Sequence, residues 1–499
     1  GQAAAGGGTR ESSQMPHLTR TPARPVRRRA IVIGGSLAGT LAAAALREAV
    51  DEILILENDE LPTGPGPRRG LPQASHAHMF WSTGVHATEA LLPGVTDRWM
   101  SAGAHRIPIP TGMVAFTPEG WLRRWSAETA FLIACSRGVL DHAVRELLLA
   151  DPAVTVLHHT RADALTGTAD RVTGVRVRGA DGREAVLEAD FVVDASGRGS
   201  RAPRHLEDLG VRPAPERSLD LGLTYASRIF RAPEGTTGFP LVVVQSDPRT
   251  ARPGQSASIL PIEDGQWIVT TAGTRGGEPT ASSEDFEPFA RGLRHPLIGG
   301  MISGLEPLTG VTVSRSTRNV RRYFENVRNW PERYVVLGDA LAAFNPIYGH
   351  AMSVAAQAAL VLRDLVSAHG IDAPRLARRV QKAVARPVAA AWDLALGHDV
   401  FYPGVQGSAH RTPTLKDKLA SGYTYRLLKT CCGSPTMTRD FFDVTSLQAP
   451  LTTLVMPGRA HRRFRGLTRE VGAGWSEGVA EQWAVMVGLG QQALWRRAG

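Results

Sequence analysis

The segment Tyr334-Val-Val-Leu-Gly-Asp-Ala-Leu-Ala-Ala-Phe-Asn-Pro-Ile-Tyr-Gly-His-Ala-Met-Ser353 constrains this chain more than any other. Tyr334 to Leu337 reads as a short buried strand. Gly338-Asp339 at its mouth sets one carboxylate beside a backbone that can be approached closely. A Pro/Gly loop follows, then a small-residue helix from about Ser353. The amide N–H groups between Asn345 and Met352 are left unpaired at the helix start, where an electron-rich group can sit. A second phosphate-type loop lies far upstream, between Ile31 and Gly39. One dinucleotide with a pyrophosphate and a reducible ring accounts for both loops, which points to FAD rather than to a nicotinamide cofactor alone.

The upstream loop is Ile33-Gly34-Gly35-Ser36-Leu37-Ala38-Gly39. Against G-x-G-x-x-G it matches at Gly34 and Gly39, with Ser36 in the middle position. Gly34 permits the tight turn and Gly39 the close helix–strand packing; the Ser36 hydroxyl can bond a phosphate. A strand precedes the loop, an Ala/Leu-rich helix follows, and a second strand ends at Glu57, where a carboxylate can accept from ribose hydroxyls. The whole β-α-β unit spans about 30 residues. Two further motifs fit the same cofactor. In Cys135-Ser136-Arg137-Gly138-Val139-Leu140 an Arg near a helix start can reach a phosphate or ribose. In Asp190 to Ser200 a buried strand ends at Asp194 in a Gly/Ser-rich loop. Asp339 is assigned to ribityl or ribose hydroxyls, Pro346 to fixing the loop beside the ring, and the N–H groups of Gly349, His350, Ala351 and Met352 to its pyrimidine end.

The chain has 499 residues, enough for two intertwined domains or three in series. The fold class expected is α/β: a Rossmann-like FAD-binding domain with an inserted β-sheet substrate domain and a C-terminal helical region. Residues 1–28 are expected to form a disordered tail. Residues 29–75, 126–215 and 318–370 are assigned to the FAD-binding domain, 76–125 and 216–317 to the substrate-binding domain, and 371–499 to helices. A helix is expected over 76–93, and hairpin turns at Asp181-Gly182 and Asp264-Gly265. The net charge of +10 is carried mainly by Arg scattered along the chain. That fits an anionic partner such as a phosphopantetheine carrier or a membrane surface, or simply an Arg-rich composition; without an aromatic–basic array it does not point to nucleic acid. Three Cys, at 135, 431 and 432, without metal-ligand spacing, point to no metal site and a reducing cytoplasm. No apolar run in the sequence reaches the length of a membrane span.

The four motifs, in this order and spacing, resemble the FAD-dependent monooxygenases of the para-hydroxybenzoate hydroxylase superfamily. The stretches Arg69 to His78, Gly103 to Pro110, Ile133 to Arg137, Pro261 to Gly265, Thr274 to Pro279, Ala343 to Pro346 and Tyr348-Gly349-His350 are similar to the squalene-epoxidase-like flavin epoxidases of polyether ionophore biosynthesis, the monensin and lasalocid type. The similarity weakens after about residue 410. Ser36 in place of the middle Gly, and Ala351 where many relatives carry Gly, are departures. The resemblance implies oxygen transfer from a flavin C4a-hydroperoxide to alkenes of a linear polyketide polyene, free or carrier-bound. It requires O2, and electrons from NAD(P)H directly or through a separate flavin reductase.

For such a substrate the pocket is expected to be apolar and drawn from the β insert. Phe80, Tyr225, Ile259, Leu260, Trp267, Val269 and Phe344 are its candidate lining. The flavin carries the chemistry, with Phe344, Pro346 and His350 as candidate catalytic neighbours; His76 and His78 join His350 as candidate acid or hydrogen-bonding groups. An aromatic hydroxylase, a non-oxygenating flavin dehydrogenase or reductase, and an FAD-retaining carrier-docking subunit remain the alternatives.

Overall fold

The computed structural model describes residues 27–66, 75–315, 317–346, 349–431 and 435–449. Five parallel strands form its first sheet, in the order Tyr334–Val336, Phe191–Asp194, Arg29–Ile33, Glu52–Leu56, Val154–Leu157. These are short runs rich in Val, Ile and Leu, as a sheet covered on both faces requires. Ile31, Ile53, Ile55 and Phe191 are fully buried; removing each side chain from water contributes about 1.5–3 kcal/mol. The helix Leu37–Leu46 is buried along almost its whole length. It packs between this sheet and the long helix His350–His369.

The chain lays down Glu52–Leu56 and Val154–Leu157 on one side of the first strand, then crosses to the other side with Phe191–Asp194 and Tyr334–Val336. The direction reverses between Arg29–Ile33 and Phe191–Asp194, and the crevice beyond the carboxyl ends of those strands is where such sheets bind ligands. The parallel register puts Ile33 level with Leu56 and Asp194, and Asp194 level with Val336. Gly34, Glu57, Ala195 and Leu337-Gly338 therefore leave the sheet in one row.

A second sheet of seven strands carries Thr312–Ser314, Thr224–Arg231, Gln266–Gly273, Gln255–Ile262, Leu241–Val244, Met113–Thr117 and Gly120–Trp121, in that order. Its turn at Asp264-Gly265 has both residues left-handed, at φ +61° and +65°, as the sequence predicts for a hairpin there. Side chains alternate between its two faces. Tyr225, Ser227 and Ile229 share one face with Ala272, Thr270 and Ile268, their cross-strand partners, and with Leu260. Phe230, Trp267, Val269 and Ile259 lie on the other face. There they form a core with Phe286, Ala290 and Ile298 of the helices Ser283–Arg291 and Leu297–Ile302.

Two expected elements differ in detail, and one strand, Arg161–Gly167, is not among the expected ones. The helix expected from residue 76 begins at Ser82, because Phe80-Trp81 first pairs as a strand with Ile133 and Leu132. The strand Arg161–Gly167 has a weak alternating pattern and is held by pairing to Val172–Arg178. The long helix starts at His350, ahead of Ser353, because left-handed Gly349 caps it. The three-stranded sheet of Phe80–Trp81, Ala130–Ala134 and His105–Ile109 links segments 76–125 and 126–215. The expected tail at 1–26, most of the Arg69–His78 motif and the chain after 449 lie outside the described residues.

A Cβ on Gly39 would sit 1.8 Å from the Gly34 carbonyl oxygen. Gly39→Ala is expected to cost at least about 2–3 kcal/mol, seen as a lower urea midpoint at unchanged m-value.

Candidate functional site

At the carboxyl edge of the parallel sheet the backbone turns sharply at Gly34, with φ +101°. A Cβ there would lie 2.4 Å from the Ala195 carbonyl oxygen, so only Gly fits. The Gly34 N–H donates to the Leu56 carbonyl, and the Gly35 N–H donates to Glu57 Oε2 at 2.8 Å. Glu57 is buried and accepts a second backbone N–H, from Asp59, at 3.1 Å. Those two bonds orient the carboxylate at the crevice. Ser36 is the N-cap of the helix Leu37–Leu46, yet its hydroxyl makes no capping bond. The helix thus keeps its first N–H groups and a hydroxyl at the crevice, the donor set that a pyrophosphate takes. The middle-position Ser is accommodated without displacing the turn.

Across the crevice, Gly338 is left-handed at φ +64°, and a Cβ on it would meet Ala38 Cβ at 2.6 Å. This contact holds Asp339 against the start of the first helix. Arg198, on the loop after Phe191–Asp194, lies 3.8 Å from Asp339 Oδ2. The same guanidinium donates to the Phe344 carbonyl at 2.5 Å and to the Arg318 carbonyl at 2.7 Å. Asp194 fixes that loop by accepting from Ser196 and Ser200. Burial raises the Asp339 carboxyl above its ordinary range, with Arg198 and then Arg137 opposing that rise. Arg137 is buried and pairs with Asp141 at 2.8 Å within its own helix. Ser136 caps that helix, and its N–H donates to Glu263 of the second sheet at 2.8 Å. The sequence quoted Arg198 only as part of a loop; its role depends on two carbonyls far away in the chain.

At the start of the long helix, Gly349 has φ +66°, and a Cβ there would lie 3.1 Å from Met79 and 3.4 Å from Trp81 Nε1. Its N–H donates to the Pro346 carbonyl at 3.0 Å. The preceding Asn345 is buried: its N–H donates to Asn319 Oδ1 at 2.5 Å, and its Oδ1 accepts from the Tyr225 hydroxyl at 2.9 Å. The backbone of His350, Ala351 and Met352 forms the first turn. The imidazole of His350, however, donates from Nε2 to the Thr445 carbonyl at 2.7 Å. It clasps the helix Pro435–Thr445 to the site, and burial lowers its pKa. The ring is therefore a structural tie rather than an acid beside the flavin. Thr83 and Gln448 make further ties to the same region, through Ser446 and Ser82. Ile347 and Tyr348 lie outside the described residues.

The substrate candidates divide. Tyr225 and Leu260 lie on the sheet face turned toward Asn345 and the start of the long helix, as the Tyr225–Asn345 bond shows. Ile259, Trp267 and Val269 do not line it: the two-residue period of their strands sends them to the opposite face, where Trp267 stacks on Phe239 at 4.1 Å. Phe80 packs edge-on against Trp99 at 5.6 Å in the main core, and its neighbour Trp81 faces the site in its place. Phe344 is buried in the main core, with its carbonyl held by Arg198. A surface cavity of about 500 Å³ lined by Phe230, Phe286 and Arg291 opens on the outer face, away from this chemistry. His76 is buried, its Nδ1 2.6 Å from Ser227 Oγ. Burial brings its pKa down to about 4, and burial followed by the Arg137 charge lowers that of His78.

Residues 30–204 match the family of FAD dependent oxidoreductases. That match spans 175 of the 499 residues, and the fold as a whole is shared with solved flavoproteins. Protein Rv3254 of Mycobacterium tuberculosis is 28% identical over 391 residues, covering 75% of this chain and 80% of that protein. Kynurenine 3-monooxygenase of Salinispora arenicola is 27% identical over 376 residues, covering 70% and 75%. Among solved structures, a flavoprotein/dehydrogenase from Cytophaga hutchinsonii superposes with a TM-score of 0.59 at 14% identity, covering 84% of this chain and 92% of its own. These likenesses support a flavin-dependent enzyme of the monooxygenase kind. Among the described residues one helix, His350–His369, is long and apolar enough to cross a membrane; it is half buried inside the fold.

Two measurements check this site. Asp339→Ala is expected to weaken FAD binding at least about tenfold, the worth of one charge-assisted hydrogen bond, read by equilibrium dialysis; unchanged occupancy contradicts the assignment. His76 is neutral in the folded chain down to about pH 4, against 6.5 for an ordinary histidine. Between those values the unfolded chain binds the extra proton, so stability falls as pH drops through the window. The loss is on the order of 3 kcal/mol, and His76→Gln is expected to flatten that part of the urea-midpoint profile.

Proposed function

We propose that this chain is a flavin-dependent monooxygenase that epoxidises alkenes of a linear polyketide polyene, ahead of the epoxide opening that builds cyclic ethers. One observation carries the reading. On the sheet face that carries Tyr225, Ile229, Ile268, Leu260, Leu241 and Met113 form a row packed into one core, with no charge in it. The same core takes in Phe442 and Met437 of the clasped C-terminal helix. Such a face suits a long apolar chain and excludes water.

Bound and reduced FAD supplies electrophilic oxygen from O2. The balance per alkene is one O2, two electrons and two protons, giving one epoxide and one water; NAD(P)H provides the electrons, directly or through a flavin reductase. In this chain Asp339 would accept from the ribityl or ribose hydroxyls. Glu57 would accept from the adenosine ribose, and Ser36 with the first helix would hold the pyrophosphate. The amides of Gly349 to Met352 would stabilise negative charge on the ring. Arg198 holds Asp339 and the Phe344 carbonyl in place, and His350 ties the C-terminal helix over the site.

The relation to kynurenine 3-monooxygenase favours a second reading, hydroxylation of an aromatic ring. The two separate in one experiment. Purified protein is incubated with FAD, NADPH, a flavin reductase and isotopically labelled O2, once with a polyene such as squalene and once with kynurenine. One labelled oxygen per oxidised alkene is expected. Labelled hydroxykynurenine with the polyene untouched replaces the proposal; NADPH oxidation without label in either product removes both.

A further inference from the structure

His76 stands at the seam between the second sheet and the flavin loop. Its Nδ1 lies 2.6 Å from Ser227 Oγ, which lies 2.7 Å from Thr270 Oγ1, and Thr270 Oγ1 accepts the Ala77 N–H at 3.0 Å. Its ring centroid is 5.8 Å from that of Tyr225, whose hydroxyl reaches Asn345, next to Pro346. The residue is only 6% exposed, and its Nε2 is buried with no hydrogen-bond partner among the described residues. Unpartnered buried nitrogens are rare, and each calls for a partner such as a bound ligand, a water or an ion.

The hydroxyl chain sets which proton that nitrogen carries. If Thr270 donates to Ser227, and Ser227 donates to Nδ1, every hydroxyl hydrogen has an acceptor and Nε2 bears the N–H. In the reverse direction the Thr270 hydrogen is left over as well as Nε2. The first arrangement leaves one group unsatisfied rather than two, so Nε2 is a donor.

Building on the function proposed above, we infer that His76 Nε2–H is the polar anchor of the substrate, donating to one neutral acceptor oxygen, a ketone or ester carbonyl, on an otherwise apolar chain. The apolar row of Ile229, Ile268 and Leu260 continues from Ser227 and Thr270 on the same face. An acceptor held at His76 therefore sets how far along the chain each alkene lies from the flavin loop. His76 does not ionise the substrate. The relay ends at the Ala77 N–H, which accepts no proton, and burial keeps the ring neutral at physiological pH.

The test measures ligand binding to FAD-loaded protein through the flavin absorbance. The probes are geranylacetone, a diene ketone, and the hydrocarbon with CH2 in place of its carbonyl. Wild type is expected to bind the ketone about tenfold more tightly, the worth of one hydrogen bond. His76→Ala is expected to bring the ratio close to one with hydrocarbon affinity retained, and His76→Gln, which keeps an N–H donor, to restore part of it. A purely structural role shifts both affinities together. A ratio unchanged in His76→Ala, or equal binding of both probes by wild type, overturns the anchor and leaves the epoxidase reading standing. No flavin response to either probe overturns the apolar-substrate reading and the anchor with it. If His76→Ala does not retain FAD, Ser227→Ala is used: it frees the tautomer and is expected to lower the ratio, and an unchanged ratio overturns the anchor.

Discussion

The Ala195 carbonyl leaves room at the Gly34 Cα for a hydrogen and nothing larger. That backbone contact, repeated between Gly39 and Gly34 and joined by the approach of Gly338 to the Ala38 Cβ, brings three distant parts of the chain to one edge of the parallel sheet. Everything polar at the cofactor end is placed from it. Glu57 is turned by the Gly35 N–H, Asp339 sits against the start of the first helix, and Arg198 reaches Asp339 because the Asp194 loop leaves the sheet beside Gly34. Loss of the contact would separate groups that no single segment holds together.

The substrate side depends on a different constraint, the two-residue period of a strand. It puts Ser227 and Thr270 level with each other and sends Trp267, Val269 and Ile259 to the far side. All of these residues are buried, and all belong to strands covered on both faces, so hydrophobicity alone does not tell one face from the other. Helices Ser283–Arg291 and Leu297–Ile302 cover one face; the flavin loop and the C-terminal helices approach the other. The same face combines an apolar row with a short hydroxyl relay, and His76 joins the two.

The C-terminal helix adds a third dependence. His350 opens the long helix with its backbone and holds Thr445 with its ring. The start of the long helix and the helix Pro435–Thr445 are therefore linked through one residue, with Asn319 and Asp399 bracing Asn345.

The sequence by itself determined the elements whose chemistry is local. The turn at Gly34, the helix after it, the acid at Glu57, the strand and turn at Gly338-Asp339 and the hairpin at Asp264-Gly265 each follow from residues adjacent in the chain, because φ preference, helix termini and strand ends act over a few residues. Only the tertiary structure decided which side chains meet. Arg198 with the Phe344 carbonyl, His350 with Thr445, Trp81 rather than Phe80 at the site, and His76 with Ser227 and Thr270 all join segments far apart in sequence. Their partners are backbone carbonyls and hydroxyls, which carry no pattern of their own and acquire a role only when packing fixes distance and excludes water.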